Sequence, residues 1–275
     1  MTILDQIITE KHREVDRHKA QVTLQTLEQM PGFQKDTVSA SAAIFRPGST
    51  GVIAEFKRKS PSKGIINDRA DVAQTTASYV AAGASVLSVL TDEPFFGGTL
   101  ADLQAARTAN PHTPLLRKDF VIDPYQIVEA KAWGADLVLL IAACLSPTQV
   151  RYLSQFAQNL GLEVLLEVHD AEELARSLCD TIDLVGVNNR NLKTFVTRTD
   201  TSLELADQIP ARYVKVTESG LHDAKTMVSL HRAGYQAFLI GEAFMKTDDP
   251  GGALGQLMTD YGRQLVTPQT NNQLL

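Results

Sequence analysis

Two stretches, PLLRKDF (residues 114–120) and EVLLEVH (residues 163–169), share a pattern that predicts the architecture of the whole chain. Each is a short apolar run that ends in an ionisable residue, Lys118 in the first and Glu167 in the second. A run of this length is typical of a strand buried on both faces. A buried unpaired charge costs several kcal/mol, so we expect these residues where their strands leave the core.

The same layout recurs along the chain, at Glu55 and Lys57 in GVIAEFK, Asn188 in LVGVNNR, Glu218 in VKVTESG and Glu242 in AFLIGEA. In every case the polar residue comes at the carboxyl end of the apolar run. Many strands that end in this way predict a pocket at one face of a parallel barrel.

Eight apolar runs alternate with helical patterns after Gly51, and no second kind of unit interrupts them. This predicts a single (β/α)8 TIM barrel, a fold of about 250 residues. A doubly wound sheet would have about five to seven strands and a glycine-rich first turn, and no GxGxxG or GxxxxGK[ST] follows the first strand. The predicted strands are 51–57, 85–91, 114–119, 136–142, 163–168, 184–188, 214–218 and 237–241.

The chain divides into three predicted parts. Residues 1–50 form an N-terminal helical extension packed on the barrel, because residues 2–28 repeat apolar side chains with helical spacing. Residues 51–265 form the barrel, with a last helix over about 250–265. Residues 266–275 are a polar tail that we expect to be disordered.

Composition excludes several classes of protein. The net charge of -6 over 275 residues argues against a general nucleic-acid binder. The longest apolar stretch, LVLLIAACL, is about half of what a membrane span needs, and the N-terminus lacks the layout of a signal peptide. We therefore expect a cytoplasmic protein with neither nucleic acid nor membrane as partner. The cysteines, Cys144 and Cys179, are expected to be buried in a reducing compartment, and the six scattered histidines predict no metal site.

Reading the predicted strand ends gives a set of candidate site residues: Glu55, Lys57, Lys118, Glu167, Asn188, Arg190, Glu218 and Ser219. They could be solvated rim residues joined in salt bridges, but strand parity turns Glu55, Lys57 and Lys118 inward. A lysine and a glutamate in one desolvated pocket can act as general acid and base. Asp119 has the opposite parity, so we expect it to be structural.

Two further features point to an anionic ligand. Gly220 in TESG and Gly241 in LIGEAF follow the last two strands, where barrels often bind phosphate and glycine allows close approach of the backbone. The first loop, RKSPSKGIIND (residues 58–68), is long and basic. It is either a mobile lid over an anionic ligand or a plain surface loop.

Several motifs together resemble the indole-3-glycerol-phosphate synthase family, in family order over nearly the whole chain. They are IAEFKRKSPSKG, LTDEPFFGG, LLRKDFVIDPYQI, ADLVLLIAA, LLEVHD, VGVNNRNLKTF, TESGL and FLIGEAFM, and the N-terminal TILDQIITEKHREV is also similar. The resemblance implies closure of the pyrrole ring of 1-(2-carboxyphenylamino)-1-deoxyribulose 5-phosphate, with loss of carbon dioxide and water. It implies no metal or organic cofactor.

The resemblance also implies catalytic roles. Lys118 matches the general acid of ring closure, and Lys57 matches the lysine that contacts the substrate carboxylate. Glu167 matches the general base and Glu55 the carboxylate that supports the lysines. The polar residues that orient the substrate correspond to Asn188 and Ser219.

The implied substrate-binding residues fall into two groups, and the strand ends add Arg190 and Glu218 as further candidates for substrate binding. The phosphate cradle corresponds to Ser60, Gly220, Gly241 and Glu242, the last through its backbone. Some relatives carry serine at that position, and Glu242 lacks the side-chain donor that serine supplies. The walls around the anthranilate ring correspond to Phe96, Phe120, Leu139 and Ile141.

Two rival interpretations remain at this point. Phosphoribosylanthranilate isomerase, another phosphate-binding barrel, is expected to use a Cys/Asp pair at the first and fifth strand ends, where this chain has Glu55, Lys57 and Glu167. A non-catalytic metabolite-binding barrel is expected to have lost Lys118 or Glu167. The expected partner is a small phosphorylated substrate, and we expect a monomer.

Overall fold

The computed structural model describes residues 2–192 and 194–266, and its centre is a closed barrel of eight parallel strands. Each strand pairs with its neighbours in chain order, and the first also pairs with the last. The predicted (β/α)8 TIM barrel is confirmed. The strands are β1 (Val52–Phe56), β2 (Val86–Leu90), β3 (Leu115–Lys118), β4 (Leu137–Ile141), β5 (Glu163–Val168), β6 (Leu184–Asn188), β7 (Val214–Glu218) and β8 (Ala237–Ile240).

The barrel interior is apolar below its carboxyl-terminal mouth. Alternate residues of the strands, including Ile53, Leu116 and Leu165, form one buried cluster inside the barrel. Ala40 and Ile44 belong to the same cluster, and Glu163 at the start of β5 accepts hydrogen bonds from the Ala40 and Ser41 amides (2.7 and 3.1 Å). The short helix that contains them therefore closes the amino-terminal end, which leaves the opposite end for a site.

The helices surround this barrel. The extension contains Ile3–Gln21, Leu24–Glu28 and Ala40–Phe45. The outer layer contains Val72–Ala81, Leu100–Ala109, Pro124–Ala132, Pro147–Asn159, Ala171–Ser177, Asp200–Leu205, Ala224–Arg232 and Pro250–Val266, and two short helices, Glu93–Phe96 and Glu242–Met245, follow β2 and β8. The last helix reaches one residue into the predicted tail, and residues 267–275 of that tail lie outside the described residues.

The expectation that both cysteines are buried was wrong. Cys144 and Cys179 are free and only half-buried, and each packs at the margin of the apolar core. Cys144 follows the end of β4, and Cys179 follows the end of the helix Ala171–Ser177. Each therefore packs against the core from its edge. Among residues 2–192 and 194–266, no helix combines the length and the apolar character needed to cross a bilayer.

Candidate active site

The predicted site residues come together in one open cavity at the carboxyl-terminal mouth of the barrel. Every residue that the sequence placed in the site lines this cavity: Glu55, Lys57, Ser60, Phe96, Lys118, Phe120, Leu139, Ile141, Glu167, Asn188, Arg190, Glu218, Ser219, Gly220, Gly241 and Glu242. The side chains of Glu55, Glu167 and Glu218 are at most 4% exposed, so these three are not solvated rim residues. The roles of the residues remain predictions.

Lys118 lies at the centre of the charged half of the cavity. Its Nζ is 3.0 Å from Glu167 Oε2 and 3.2 Å from Glu218 Oε2, so one ammonium bridges the ends of β5 and β7. Burial alone would lower the pKa of Lys118, but the charges of Glu167, Glu218 and Glu55 outweigh it and raise that pKa. Lys118 is therefore an ammonium ion in the free protein and carries a proton that it can donate.

The two carboxylates that share Lys118 have different surroundings. Burial would raise the pKa of Glu167, but Lys118, His169 and a hydrogen bond from Asn188 Nδ2 to Oε1 (3.0 Å) together lower it. Burial and the negative charge of Glu167 raise the pKa of Glu218 to about 7, and Lys118 offsets them only in part. Within the described part of the chain, Glu218 Oε1 is buried without a hydrogen-bonding partner. Pairs of groups whose pKa values are pushed apart mark acid and base assignments.

The raised pKa of Glu218 predicts how the stability of the protein depends on pH. The folded carboxyl keeps a proton up to about pH 7, whereas the unfolded chain releases it near 4.5. The stabilisation that the folded protein gains from holding this proton is therefore present in full below about pH 4.5 and is lost as the pH rises to about 7. We expect Glu218→Gln to gain stability relative to the wild type between pH 5 and 7, by on the order of 3 kcal/mol at most. Urea unfolding of both proteins at several pH values measures this, and a constant difference would contradict it.

A second ion pair lies beside the first. Lys57 Nζ is 2.6 Å from Glu55 Oε1 at the end of β1. Gly241 makes room for this pair, since a Cβ at that position would lie 2.7 Å from Glu55 Oε1 and 2.9 Å from Glu55 Cβ. The absence of a side chain at Gly241 thus has a steric reason besides the predicted contact with phosphate.

The end of the cavity near the last two strands carries the features expected for an anion. Ser219 and Gly220 both have left-handed backbone, with φ of 69° and 78°. Left-handed backbone at a residue other than glycine is strained, and such strain clusters at functional sites. Ser60 is buried nearby in the first loop, where Lys59–Ser60 pairs with Gly64–Ile65 in a short hairpin. Whether this loop is a lid stays a prediction.

Glu242 is held by two cations at this end. Its Oε2 is 3.2 Å from an Arg190 nitrogen, and its Oε1 is 3.6 Å from Lys63 Nζ. Arg190 also donates to Ser62 Oγ (3.0 Å), so the loops after β1, β6 and β8 meet here. Because these cations neutralise its carboxylate, Glu242 can lie beside the predicted phosphate site.

The other end of the cavity is apolar. The ring centroids of Phe96 and Phe120 are 6.0 Å apart, and Phe120 packs on the buried cluster that contains Leu139 and Ile141. The N-terminal helix completes this wall with residues that the sequence did not assign to the site: Ile3, Leu4 and Ile7. Helical spacing revealed their apolar face, but not the surface that this face covers.

Lys11 is a further residue that sequence reasoning missed. Its side chain is fully buried, and its Nζ is 2.8 Å from Asp119, 3.1 Å from Asp92 and 2.9 Å from Glu14. Asp119 also pairs with Arg117 (3.0 Å), which agrees with the structural role that its parity predicted. An ion pair between Lys11 and Asp119 thus joins the N-terminal extension to the residue that directly follows Lys118.

A barrel whose carboxyl-terminal mouth holds a lysine between buried carboxylates is typical of the barrel enzymes. Residues 4–257 match the family described as indole-3-glycerol phosphate synthase. Curated enzymes of that name are similar, from Bacteroides thetaiotaomicron (49% identical, 92% of this chain and 96% of that one) and Burkholderia vietnamiensis (44%, 93% and 98%). The chain belongs to the indole-3-glycerol phosphate synthase family, whose members are carboxy-lyases of tryptophan biosynthesis, and it is an enzyme of that class.

Solved structures with the same fold are more distant in sequence. A 3-hexulose-6-phosphate synthase from Salmonella typhimurium aligns with a TM-score of 0.61 at 12% identity, over 78% of this chain and 99% of that one. KGPDC from Streptococcus mutans aligns with a TM-score of 0.58 at 13% identity, over 77% and 97%. At these identities the likeness shows the barrel fold alone.

Proposed function

We propose that this cavity closes the pyrrole ring of 1-(2-carboxyphenylamino)-1-deoxyribulose 5-phosphate to give indole-3-glycerol phosphate. The observation that carries the proposal is the Lys118 ammonium, which lies 3.0 and 3.2 Å from two buried carboxylates whose pKa values are shifted in opposite directions. The reaction needs one group that gives a proton and one that takes a proton, and both must be shielded from water. The motifs that carry the family resemblance contain the same residues.

The proposed steps use Lys118 first. Its ammonium protonates the ketone oxygen while the ring carbon that bears the carboxylate attacks the ketone carbon. Carbon dioxide leaves from that ring carbon, which restores the benzene ring. The new hydroxyl then takes a second proton, from the Lys57 ammonium, and departs as water. Glu167 takes the proton whose removal makes the pyrrole ring aromatic.

The rest of the cavity would orient the substrate between its two ends. Ser60, Gly220, Gly241 and the Glu242 backbone would hold the phosphate, with Arg190 close by. The anthranilate ring would lie in the apolar end, and Lys57, supported by Glu55, would face its carboxylate. Asn188, Ser219 and Glu218 would contact the polar middle of the substrate. This order matches a molecule with a phosphate at one end and an aromatic ring at the other.

One assay tests the proposed activity. The purified protein is mixed with the substrate in the presence of a chelator, and indole fluorescence is recorded over time. We expect fluorescence to rise in proportion to enzyme concentration. No rise, together with conversion of phosphoribosylanthranilate, would instead indicate the isomerase. Binding without conversion of either compound would indicate a non-catalytic barrel.

Glu167→Gln separates a catalytic from a structural role for this residue. Glutamine keeps the shape and still accepts a hydrogen bond, but it cannot take up a proton at neutral pH. We therefore expect kcat to fall by about 10²–10⁴-fold with KM changed little. Steady-state kinetics from pH 5 to 9, read beside a melting curve, measure this. A raised KM with kcat preserved would mean that Glu167 is not the base.

The cellular compartment, the oligomeric state and the partners of the enzyme are also proposals. We propose a cytoplasmic monomer whose partner is a small phosphorylated substrate, with neither nucleic acid nor membrane as partner. The net charge of -6 and the two free cysteines support this. Light scattering of the purified protein at micromolar concentration measures its molar mass, and a monomer should give 30.0 kDa.

A further inference from the structure

His169 lies directly behind the predicted base and was not assigned to the site from the sequence. It follows Glu167 by two residues at the end of β5, so both side chains point to the same side of the strand. His169 Nε2 is 3.3 Å from Glu167 Oε1, the oxygen that also accepts the hydrogen bond from Asn188. Nε2 is buried and lies within ion-pair distance of Glu167, although the contact is not aligned as a hydrogen bond in the described residues.

Glu173 holds the other side of the His169 ring. Its Oε2 accepts from the His169 backbone amide (2.8 Å) and lies 3.0 Å from Nδ1. Glu173 stands in the first turn of helix Ala171–Ser177, which Asp170 caps through the Glu173 amide (2.8 Å). The imidazole is therefore fixed at both nitrogens between two carboxylates, on a rigid junction of strand and helix.

We propose that His169, held by Glu173, is a positioning residue that orients the Glu167 carboxylate and stabilises its negative charge. The inference rests on the proposed function, in which Glu167 is the base. His169 is not among the described residues that line the cavity, so it would act through Glu167 and not on the substrate. Glu167 would then sit between two cations, with Lys118 on Oε2 and His169 on Oε1.

The groups that face His169 favour its charged form. They are Glu167, two residues earlier at the end of β5, and Glu173 on the following helix. Cys144 after β4 is near the same two carboxylates, which together with burial raise the pKa of its thiol. Burial would lower the pKa of His169, but Glu167 and Glu173 raise it to about 10. An imidazole in this setting stays protonated at neutral pH. The Cys144 thiol therefore stays neutral, and the anions that pair with His169 are Glu167 and Glu173.

The kinetic test compares His169→Ala and His169→Gln with the wild type over pH 5 to 9, with His112→Ala as a control at an exposed histidine. We expect His169→Ala to lower kcat about tenfold, a typical result when the partner of a functional group is removed, with KM nearly unchanged. The acid limb of the kcat profile should move to higher pH, because a carboxylate that loses a neighbouring cation is protonated more easily. His169→Gln keeps a donor toward Glu167 and should restore most of kcat while the limb stays shifted. His112→Ala should match the wild type.

Two kinetic outcomes would overturn the inference. One is a His169→Ala profile that coincides with those of the wild type and His112→Ala. The other is an equal loss of kcat in both His169 variants, with lower melting temperatures and an unshifted acid limb, which is the mark of a purely structural residue. If the wild type itself produces no indole fluorescence, the proposed function fails instead.

An NMR titration of the His169 imidazole tests whether His169 is positively charged, and it does not depend on the activity assay. Comparison with His169→Gln identifies the His169 signals in the spectrum of the full chain. We expect His169 to be protonated from pH 6 to 8.5, and Glu173→Gln to lower the pH at which it loses its proton. A His169 ring that is neutral at pH 7 in the wild type would overturn the inference whatever the activity.

Discussion

Lys118→Ala is expected to lower the turnover number by about 10²–10⁴-fold, which is the loss typical of a removed general acid. The residue is the ammonium between Glu167 and Glu218, and alanine leaves no group there that can protonate the ketone oxygen. Steady-state kinetics with the fluorescence assay measure the effect. Turnover within tenfold of the wild type would contradict the assignment of Lys118 as the acid.

Lys118→Arg is the matched control for the charge at this position. Arginine keeps a cation beside Glu167 and Glu218, but its guanidinium does not give up a proton in proteins. We expect Lys118→Arg to be as inactive as Lys118→Ala. It should keep more of the thermal stability at neutral pH, because the two buried carboxylates remain neutralised. An active Lys118→Arg would show that the position supplies charge only.

Lys11→Met is expected to lower the free energy of unfolding by about 3–5 kcal/mol, the cost of removing one partner of a buried ion pair. The substitution leaves Asp92, Asp119 and Glu14 without the ammonium that they share. Asp92 caps the short helix Glu93–Phe96 by accepting from the Phe95 amide (2.9 Å), and that helix carries Phe96 of the apolar wall. We therefore expect a raised KM as well. Urea unfolding and steady-state kinetics measure the two effects.

Lys19→Met is the control for this prediction, because Lys19 lies on the same helix and also pairs with an aspartate. Its Nζ is 2.7 Å from Asp123, but the two side chains are 42% and 30% exposed, whereas the Lys11 side chain is fully buried. Such a pair contributes about 0–1 kcal/mol. Similar losses in Lys11→Met and Lys19→Met would contradict the importance of the buried contact. If Lys11→Met does not fold, Lys11→Arg keeps the charge and should lie between it and the wild type.

The barrel and most of its site could be predicted from the chain because the relevant signals are local. An apolar run followed by Lys118 or Glu167 indicates both a buried strand and the point at which it leaves the core. Parity within the strand then separates Lys118, which faces the cavity, from Asp119, which binds Lys11 and Arg117. The same parity applies to His169, two residues after Glu167, and would have placed it on the site side of β5.

The packing of the N-terminal helix could not be predicted from local sequence patterns. The spacing of Ile3, Leu4 and Ile7 predicts an apolar face, but a helix can lay such a face on any apolar surface. Only the fold brings these residues to the mouth of the barrel and buries Lys11 among carboxylates of two other segments. In the sequence, Lys11 is one of several charged residues on an amphipathic helix.

The charge state of the site also depends on the folded arrangement. Glu167 and Glu218 are both glutamates at strand ends and are equivalent as sequence signals. Their pKa values move in opposite directions because Glu167 gains Lys118, His169 and Asn188, whereas Glu218 has one oxygen buried without a partner in the described residues. Electrostatic energies depend on distances and burial among groups far apart in the chain. The sequence therefore determined which strands form and which side chains enter the site, and the tertiary structure decided which of them hold a proton.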